Sequence, residues 1–264
     1  MLMFDYSNKV ILVTGASKGI GKAIALNFAK SNPKQIIITS RSENELKKVS
    51  DQIKETSGLI PEMYVGSNGD SSFLNNLTSD LLSKYNSIDI LVNNGGGPKS
   101  DTFSNLDILD WKTTYEEILY GPISLITSLS MNMKKNNWGR VINISSLVAT
   151  EPVGGMVLSA TFRAGLIAFC KSISAELGAS GVTINTVSPS AVDTDRSKHL
   201  TNQAAKKLNK TYEEVMVGVK KSIPIGRLAS PDEISSTVLY LASDGASYIN
   251  GQNIIVDGGL SKST

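Results

Sequence analysis

Short runs of branched apolar residues recur from one end of the chain to the other, separated by stretches of helical periodicity. No other feature limits the fold as strongly. The runs are Lys9–Thr14, Gln35–Thr39, Asp89–Asn93, Arg140–Ile144, Val182–Val187 and Asn253–Asp257, with a weaker one at Glu62–Val65. Successive side chains on a strand point to opposite faces, so a strand that is apolar at consecutive positions must be covered on both sides. The intervening helices read as Ile20–Lys30, Glu43–Glu55, Phe73–Tyr85, Trp111–Lys134, Ala160–Leu177 and Pro231–Ala242. Doubly covered strands alternating with helices predict an α/β fold, a doubly wound parallel sheet with helices on both faces. No repeat, low-complexity segment or linker interrupts the 264 residues, and a single domain over 1–264 is expected.

Composition excludes several functions. The formal charge of +2, without a basic run interleaved with aromatics, argues against a nucleic-acid partner. One histidine, His199, rules out triads or metal sites built on several histidines, and no metal is expected. A single cysteine, Cys170, forms no internal disulfide and reads as a small hydrophobe on a buried helix face. The apolar start Met1–Asp5 lacks the basic residues of a signal peptide. No segment reads as the roughly 18 apolar residues of a membrane span. No membrane and a cytoplasmic location are the expectations.

Thr14-Gly-Ala-Ser-Lys-Gly-Ile-Gly21 follows the first strand and opens a helix. Glycines there let backbone approach a pyrophosphate, while the helix start presents free amides to it. Gly15, Ser17, Lys18, Gly19, Ile20 and Gly21 are therefore cofactor-binding candidates. Arg41 stands just past the second strand, where an acid would hold the ribose of NAD. A cation at that point, with Lys18 in reach, favours the 2′-phosphate of NADP. The polar, lysine-rich stretch Asp193–Ile223 follows a strand end and reads either as a helical flap over a substrate pocket or as a solvated insertion.

Several ordered motifs accompany these. Asn143-Ile-Ser-Ser146 precedes Ser159-Ala-Thr-Phe-Arg163-Ala-Gly-Leu; Asn93-Asn-Gly-Gly-Gly97 ends one strand; Ser188-Pro-Ser-Ala-Val-Asp-Thr194 follows another. Pro224-Ile-Gly-Arg-Leu228 and Asp257-Gly-Gly259 lie near the end. Together, from Lys9 to Gly259, they resemble the classical short-chain dehydrogenase/reductase family. The resemblance implies a single-domain Rossmann-like sheet and a homotetramer. It places Asn94 and Gly95 beside the adenine half of the cofactor, and Pro189, Val192 and Thr194 along its nicotinamide and pyrophosphate side. Ser190 replaces the glycine usual there.

In that family a tyrosine protonates the substrate oxygen, a lysine lowers the tyrosine pKa and binds the nicotinamide ribose, a serine orients the carbonyl, and an asparagine holds a relay water. Carried onto this chain, the serine is Ser146. The tyrosine position holds Ser159, the lysine position Arg163, and the asparagine position Ile118. A serine hydroxyl is a far weaker acid than a phenol and stops several ångströms short of its oxygen. Arginine is a planar, permanently charged fork rather than a compact ammonium. At i and i+4 the pair should share a helix face and form a local hydrogen bond or touch the cofactor.

Ser146, Ser159 and Arg163 are the catalytic candidates, with Arg163 also a ribose ligand. Tyr115 and Tyr120, flanking Ile118, are candidate donors or packing residues. The expected activity is hydride transfer between NADP and a carbonyl or alcohol of a small, free or carrier-bound substrate. Other chemistry on a bound nucleotide, a silent NADP-binding sensor or partner subunit, and a paralogue with a structural oligomer remain open. Ser-x-x-x-Arg with Pro98 and Trp111 is similar to a branch that resembles 3-oxoacyl-carrier-protein reductases. Lys206, Lys207, Lys210, Lys220 and Lys221 would face either an acidic carrier protein or solvent.

Overall fold

The structure, a computed structural model, describes residues 4–262. Seven parallel strands form its sheet: β1 (Val10–Val13), β2 (Gln35–Ser40), β3 (Glu62–Val65), β4 (Ile90–Asn93), β5 (Gly139–Ile144), β6 (Val182–Pro189) and β7 (Asn253–Val256), in spatial order β3-β2-β1-β4-β5-β6-β7. Strand order reverses between β1 and β4, which opens a crevice beyond their carboxyl ends.

Consecutive apolar residues on one strand serve two different cores. On β1, Ile11 and Val13 enter one layer with Ile24 and Phe28 of α1 (Gly19–Ala29) and Leu46, Val49 and Ile53 of α2 (Glu43–Ser57). Ile234 and Val238 of α9 (Pro231–Ala242) complete that layer. Val10 and Leu12 point the other way, to Leu74, Leu77 and Leu81 of α3 (Ser71–Tyr85). Leu125 and Leu129 of α5 (Gly121–Lys135) and Leu166 and Cys170 of α6 (Val157–Gly178) fill that second layer. Each such side chain contributes roughly 1.5–3 kcal/mol on burial. The weaker strand β3 alternates half-buried and exposed residues at the sheet edge, so its sequence signal was faint for a physical reason.

Two findings depart from the sequence expectations, and one refines them. The long helix expected at 111–134 is three pieces: α4 (Ile108–Thr114), a π-helical turn (Tyr115–Tyr120) and α5. A π turn inserts an extra residue and changes which side chains face the sheet. The segment 193–223 folds as two helices, α7 (Asp195–Leu208) and α8 (Tyr212–Ser222). By length and composition α6 would suffice for a bilayer, unlike the expectation of no such segment. It packs along β6 as a core helix and buries Arg163 on that face. Cys170 is buried, as expected, and accepts a hydrogen bond from Asn143 Nδ2 at 3.2 Å; His199 is exposed.

Candidate active site

At the carboxyl end of β1 the chain turns into α1 through a loop that only glycine can make. Gly15 has φ of +58°, and a Cβ there would lie 2.7 Å from the Asn94 carbonyl oxygen. At Gly21 a Cβ would lie 2.3 Å from the Gly15 carbonyl oxygen and 2.4 Å from Asn94 Nδ2. Asn94 locks the loop: its Nδ2 donates to the carbonyls of Thr14 at 3.2 Å and Gly15 at 3.0 Å. Its backbone N–H donates to Thr14 Oγ1 at 3.0 Å, and that hydroxyl donates to the Asn94 carbonyl at 2.7 Å. Asn68 Nδ2 reaches the same carbonyl at 3.2 Å.

With the loop carbonyls engaged on this side, the amides opening α1 carry the helix's positive end. That end has no side-chain cap and no acid in its first turn. An uncapped helix start behind a glycine cradle fits the pyrophosphate of a dinucleotide. Gly95, Gly96 and Gly97 continue from Asn94 along the exposed wall of the same crevice.

Arg41 and Lys18 are both exposed. Arg41 Nη1 donates to Glu117 Oε1 at 3.0 Å, with the arginine side chain 69% exposed. Exposed pairs of this kind contribute about 0–1 kcal/mol, so a dianionic phosphate can take the guanidinium from Glu117. Glu117 sits in the π turn and lies over Gly69, where a Cβ would meet its Cγ at 3.1 Å.

At the end of β5 the three catalytic candidates come together. Ser146 is half-buried; its Oγ accepts only the Val148 N–H, at 3.5 Å, and among the described residues its own proton has no acceptor. Ser159 and Arg163 share the inner face of α6 at 4% and 8% exposure. Arg163 Nε donates to Ser159 Oγ at 3.2 Å, the local bond expected from their spacing. Its Nη1 donates to the Ile144 carbonyl at 2.7 Å, two positions before Ser146. The guanidinium is thus turned into the protein, and Nη2 is its one nitrogen without a partner among the described residues. Burial, with a smaller repulsion from Arg196, brings its pKa down to about 10, which still leaves it charged at neutral pH. Neighbouring Ser145 is fully enclosed, and its Oγ has no partner.

Ile118, at the position the resemblance assigns to the relay asparagine, is buried in the π turn and offers no polar side chain. Tyr115 and Tyr120 stand 6.2 Å apart on the helix surface, and Tyr115 lies 6.2 Å from Phe162. Among the described residues, neither phenol hydrogen-bonds to Ser146, Ser159 or Arg163. The structure therefore does not join them to the serine–arginine pair.

The segment 193–223 bends over this crevice. Thr194 Cγ2 is 3.3 Å from where a Gly19 Cβ would be, so its start covers the glycine loop. Val192 forms a bridge with Ala229, and Pro189 pairs with Val256 where β6 ends. Arg196 donates to the Pro98 carbonyl, and Lys207 pairs with Asp101 at 3.0 Å rather than extending freely into solvent. The Lys207 hydrogen bond, the Thr102 amide and Asn105 bring the Asp101 carboxyl down to about 2. A carboxyl depressed below its unfolded value near 3.9 holds its contact above that pH and loses it as pH falls toward 2. Asp101→Asn is expected to speed proteolytic nicking of α7 by about two- to fivefold at pH 7, the scale of an exposed pair. The wild-type rate should approach the variant's as pH falls toward 2; a non-specific neutral protease at pH 7 and an acid protease at low pH, each with a peptide control for its own pH profile, read this out. Asn68, Glu117 and Arg196 were not singled out by sequence, since no local pattern announces where a lone polar residue will point.

A parallel sheet with this switch in strand order, a glycine cradle at its first strand and a free serine hydroxyl at the end of β5 define a dinucleotide-binding α/β enzyme. Residues 15–261 match the family model described as enoyl-(acyl carrier protein) reductase. The chain belongs to the short-chain dehydrogenase/reductase family and is an oxidoreductase of that class. It is 35% identical over 252 residues to the 3-oxoacyl-[acyl-carrier-protein] reductase FabG of Aquifex aeolicus, covering 96% of this chain and 97% of that one. Among solved structures it superposes on YwfH, an NADPH-dependent reductase involved in bacilysin biosynthesis, with TM-score 0.92 and 32% identity over 98% of this chain and all of that one. L-Sorbose reductase from Gluconobacter frateurii, solved with NADPH and L-sorbose, aligns over the whole of both chains with TM-score 0.93 and 25% identity.

Proposed function

We propose that this protein is an NADP-dependent reductase of a carbonyl group on a small-molecule substrate, free or carrier-bound, able to run in reverse on the alcohol. The observation that carries this reading is Ser146: a hydroxyl with an uncommitted proton at the end of β5, beside a complete cofactor crevice. NADPH, when bound, would supply the hydride and leave as NADP⁺. The chain's own part is to hold the phosphates at Gly15, Ser17, Gly19, Ile20 and Gly21, and the 2′-phosphate at Lys18 and Arg41. Asn94, Gly95, Pro189, Val192 and Thr194 line the rest of the cofactor. Ser146 orients the substrate oxygen and donates a hydrogen bond to it. Arg163 stabilises the negative charge that develops there. Ser159 fixes the Arg163 fork through its hydroxyl rather than acting as an acid. No side chain here has the tuned acidity of the family's tyrosine, so the substrate oxygen takes its proton from solvent.

The relatives support the reading, since two are named for NADPH and FabG for a carrier-bound substrate. An apolar rim of Phe103, in the short turn before α4, with Ile108, Leu109 and Tyr115 on the exposed side of α4 and the π turn supports a homotetramer. A cytoplasmic location accords with the lone, buried thiol.

Fluorescence titration with NADPH and NADH tests the cofactor assignment. Arg41→Ala is expected to weaken NADPH by about 10–100-fold, the range of a charge-assisted bond, and to leave NADH unchanged. Tighter NADH than NADPH in the wild type would sink the role of Arg41 and Lys18. NADPH oxidation across a panel of ketones, sugars and acyl thioesters tests turnover. Intact NADPH binding with no turnover on any of them would favour the silent binder instead.

A further inference from the structure

Two guanidiniums converge on the reacting end of the crevice without a carboxylate to balance them. Arg163 is buried, with its Nε on Ser159 and its Nη1 on the Ile144 carbonyl. Arg196, from the first turn of α7, reaches across the crevice to the other wall. Its Nε lies 2.7 Å from where a Cβ of Gly97 would be, and it donates to the Pro98 carbonyl. A side chain at position 97 would therefore collide with it. Among the described residues neither arginine forms a salt bridge, although ten such pairs occur elsewhere in the chain. Both guanidiniums are partly stripped of water, and their anchors close adjacent strands: Ile144 ends β5, while Gly97 and Pro98 follow β4, which pairs with β5 at Asn93 and Asn143. Two like charges in low dielectric, each held by neutral oxygens alone, are destabilising unless an anion joins them.

Position within the flap decides which anion. Thr194 lies against Gly19 and so covers the phosphate end of the crevice. Arg196, two residues on, turns to Gly97 and Pro98, beyond Asn94 on the far side of the glycine loop, just past the strand neighbouring the one whose end holds Arg163. The geometry points to a substrate carboxylate held between Arg163 and Arg196, next to the oxygen that Ser146 orients. The substrate class is then an oxo acid or its hydroxy acid. Arg196 is its specificity-determining residue, and docking of α7 over the crevice is coupled to binding of the acid. This rests on the reductase reading for the chemistry, but the anion subsite stands on its own residues.

The test separates the two. Benzoate and phenylacetate, with their amides as neutral twins, are titrated into the protein–NADPH complex and followed by nicotinamide fluorescence. Each acid should bind about tenfold or more tightly than its amide. Arg196→Gln, which keeps a donor for Pro98, should erase that preference and leave the NADPH affinity within about twofold. Arg196→Lys should restore part of the preference by charge alone. Equal or undetectable binding of acid and amide in the wild type overturns the inference. So does a tenfold loss of NADPH affinity in Arg196→Gln, which would assign the arginine to the cofactor's phosphates. Turnover of phenylpyruvate against its methyl ester forms the second arm. Reduction of the ester as fast as the acid overturns the anion subsite while leaving the reductase reading intact. Acid-selective binding with no reduction of any carbonyl does the reverse.

Discussion

Replacement of Gly21 by alanine is expected to weaken NADPH binding by about 100-fold or more and to lower the Tm by roughly 5–10 °C. One methyl group does this because it has nowhere to go. Its carbon would stand 2.3 Å from the Gly15 carbonyl oxygen and 2.4 Å from Asn94 Nδ2, less than contact distance from both backbone and side chain. Neither can yield alone, since Asn94 also holds the Thr14 and Gly15 carbonyls and so fixes the whole β1–α1 turn. Overpacking of this severity costs about 3 kcal/mol, and the displaced loop loses its approach to the pyrophosphate as well. Gly58→Ala is the control for handling a glycine elsewhere: it caps α2 at φ of +75° with open space around it, so its cost is local strain without loss of cofactor. Calorimetry and NADPH titration of the two variants check this. Unchanged NADPH affinity in Gly21→Ala would mean that the turn is not the phosphate cradle.

Ser146→Ala should reduce kcat by about 10²–10³-fold, the usual consequence of removing one positioned donor to a developing oxyanion. Stability should move by no more than about 0.5 kcal/mol, because among the described residues the one bond lost is the long one from Val148. NADPH affinity should not change. The contrast lies one residue away: Ser145→Ala removes an enclosed hydroxyl that has no partner, and both kcat and stability should stay near wild type. A Ser145 effect larger than that of Ser146 would reassign the site. With a phenol absent, the dependence of kcat on pH should also lack a group titrating near neutrality, since Arg163 keeps its proton up to about 10.

The residues proposed for the cofactor half stood out in the chain because the features that mark them are local. Glycines at a strand–helix turn, a cation just past β2 and small residues after β4 are all close to the element that positions them. Strands β1, β2, β4, β5, β6 and β7 were readable for a related reason, as each is buried along its length and carries an unbroken apolar run. The π turn escaped because its residues keep a helical hydrophobic pattern, and the change of register is in backbone hydrogen bonds that periodicity does not record. The paired Ser159 and Arg163 were legible as neighbours on one face. Their direction was not, since the Ile144 carbonyl that draws Arg163 inward lies on another element.

By itself the sequence determined the layer architecture, the glycine-rich turn after β1 and the placing of a serine and an arginine four residues apart at 159 and 163. Those properties follow from side-chain periodicity and from short motifs whose parts touch each other. Only the tertiary structure decided that Ser159 and Arg163 form an inward-facing pair, that Glu117 holds Arg41, and that Arg196 crosses the crevice to a carbonyl 98 positions away in sequence. Such contacts depend on where α6, the π turn and α7 settle against the sheet, and no local pattern encodes the meeting of two distant polar groups. The serine and arginine were therefore visible from the start as neighbours, whereas the carbonyls that hold Arg163 and Arg196 came only with the fold.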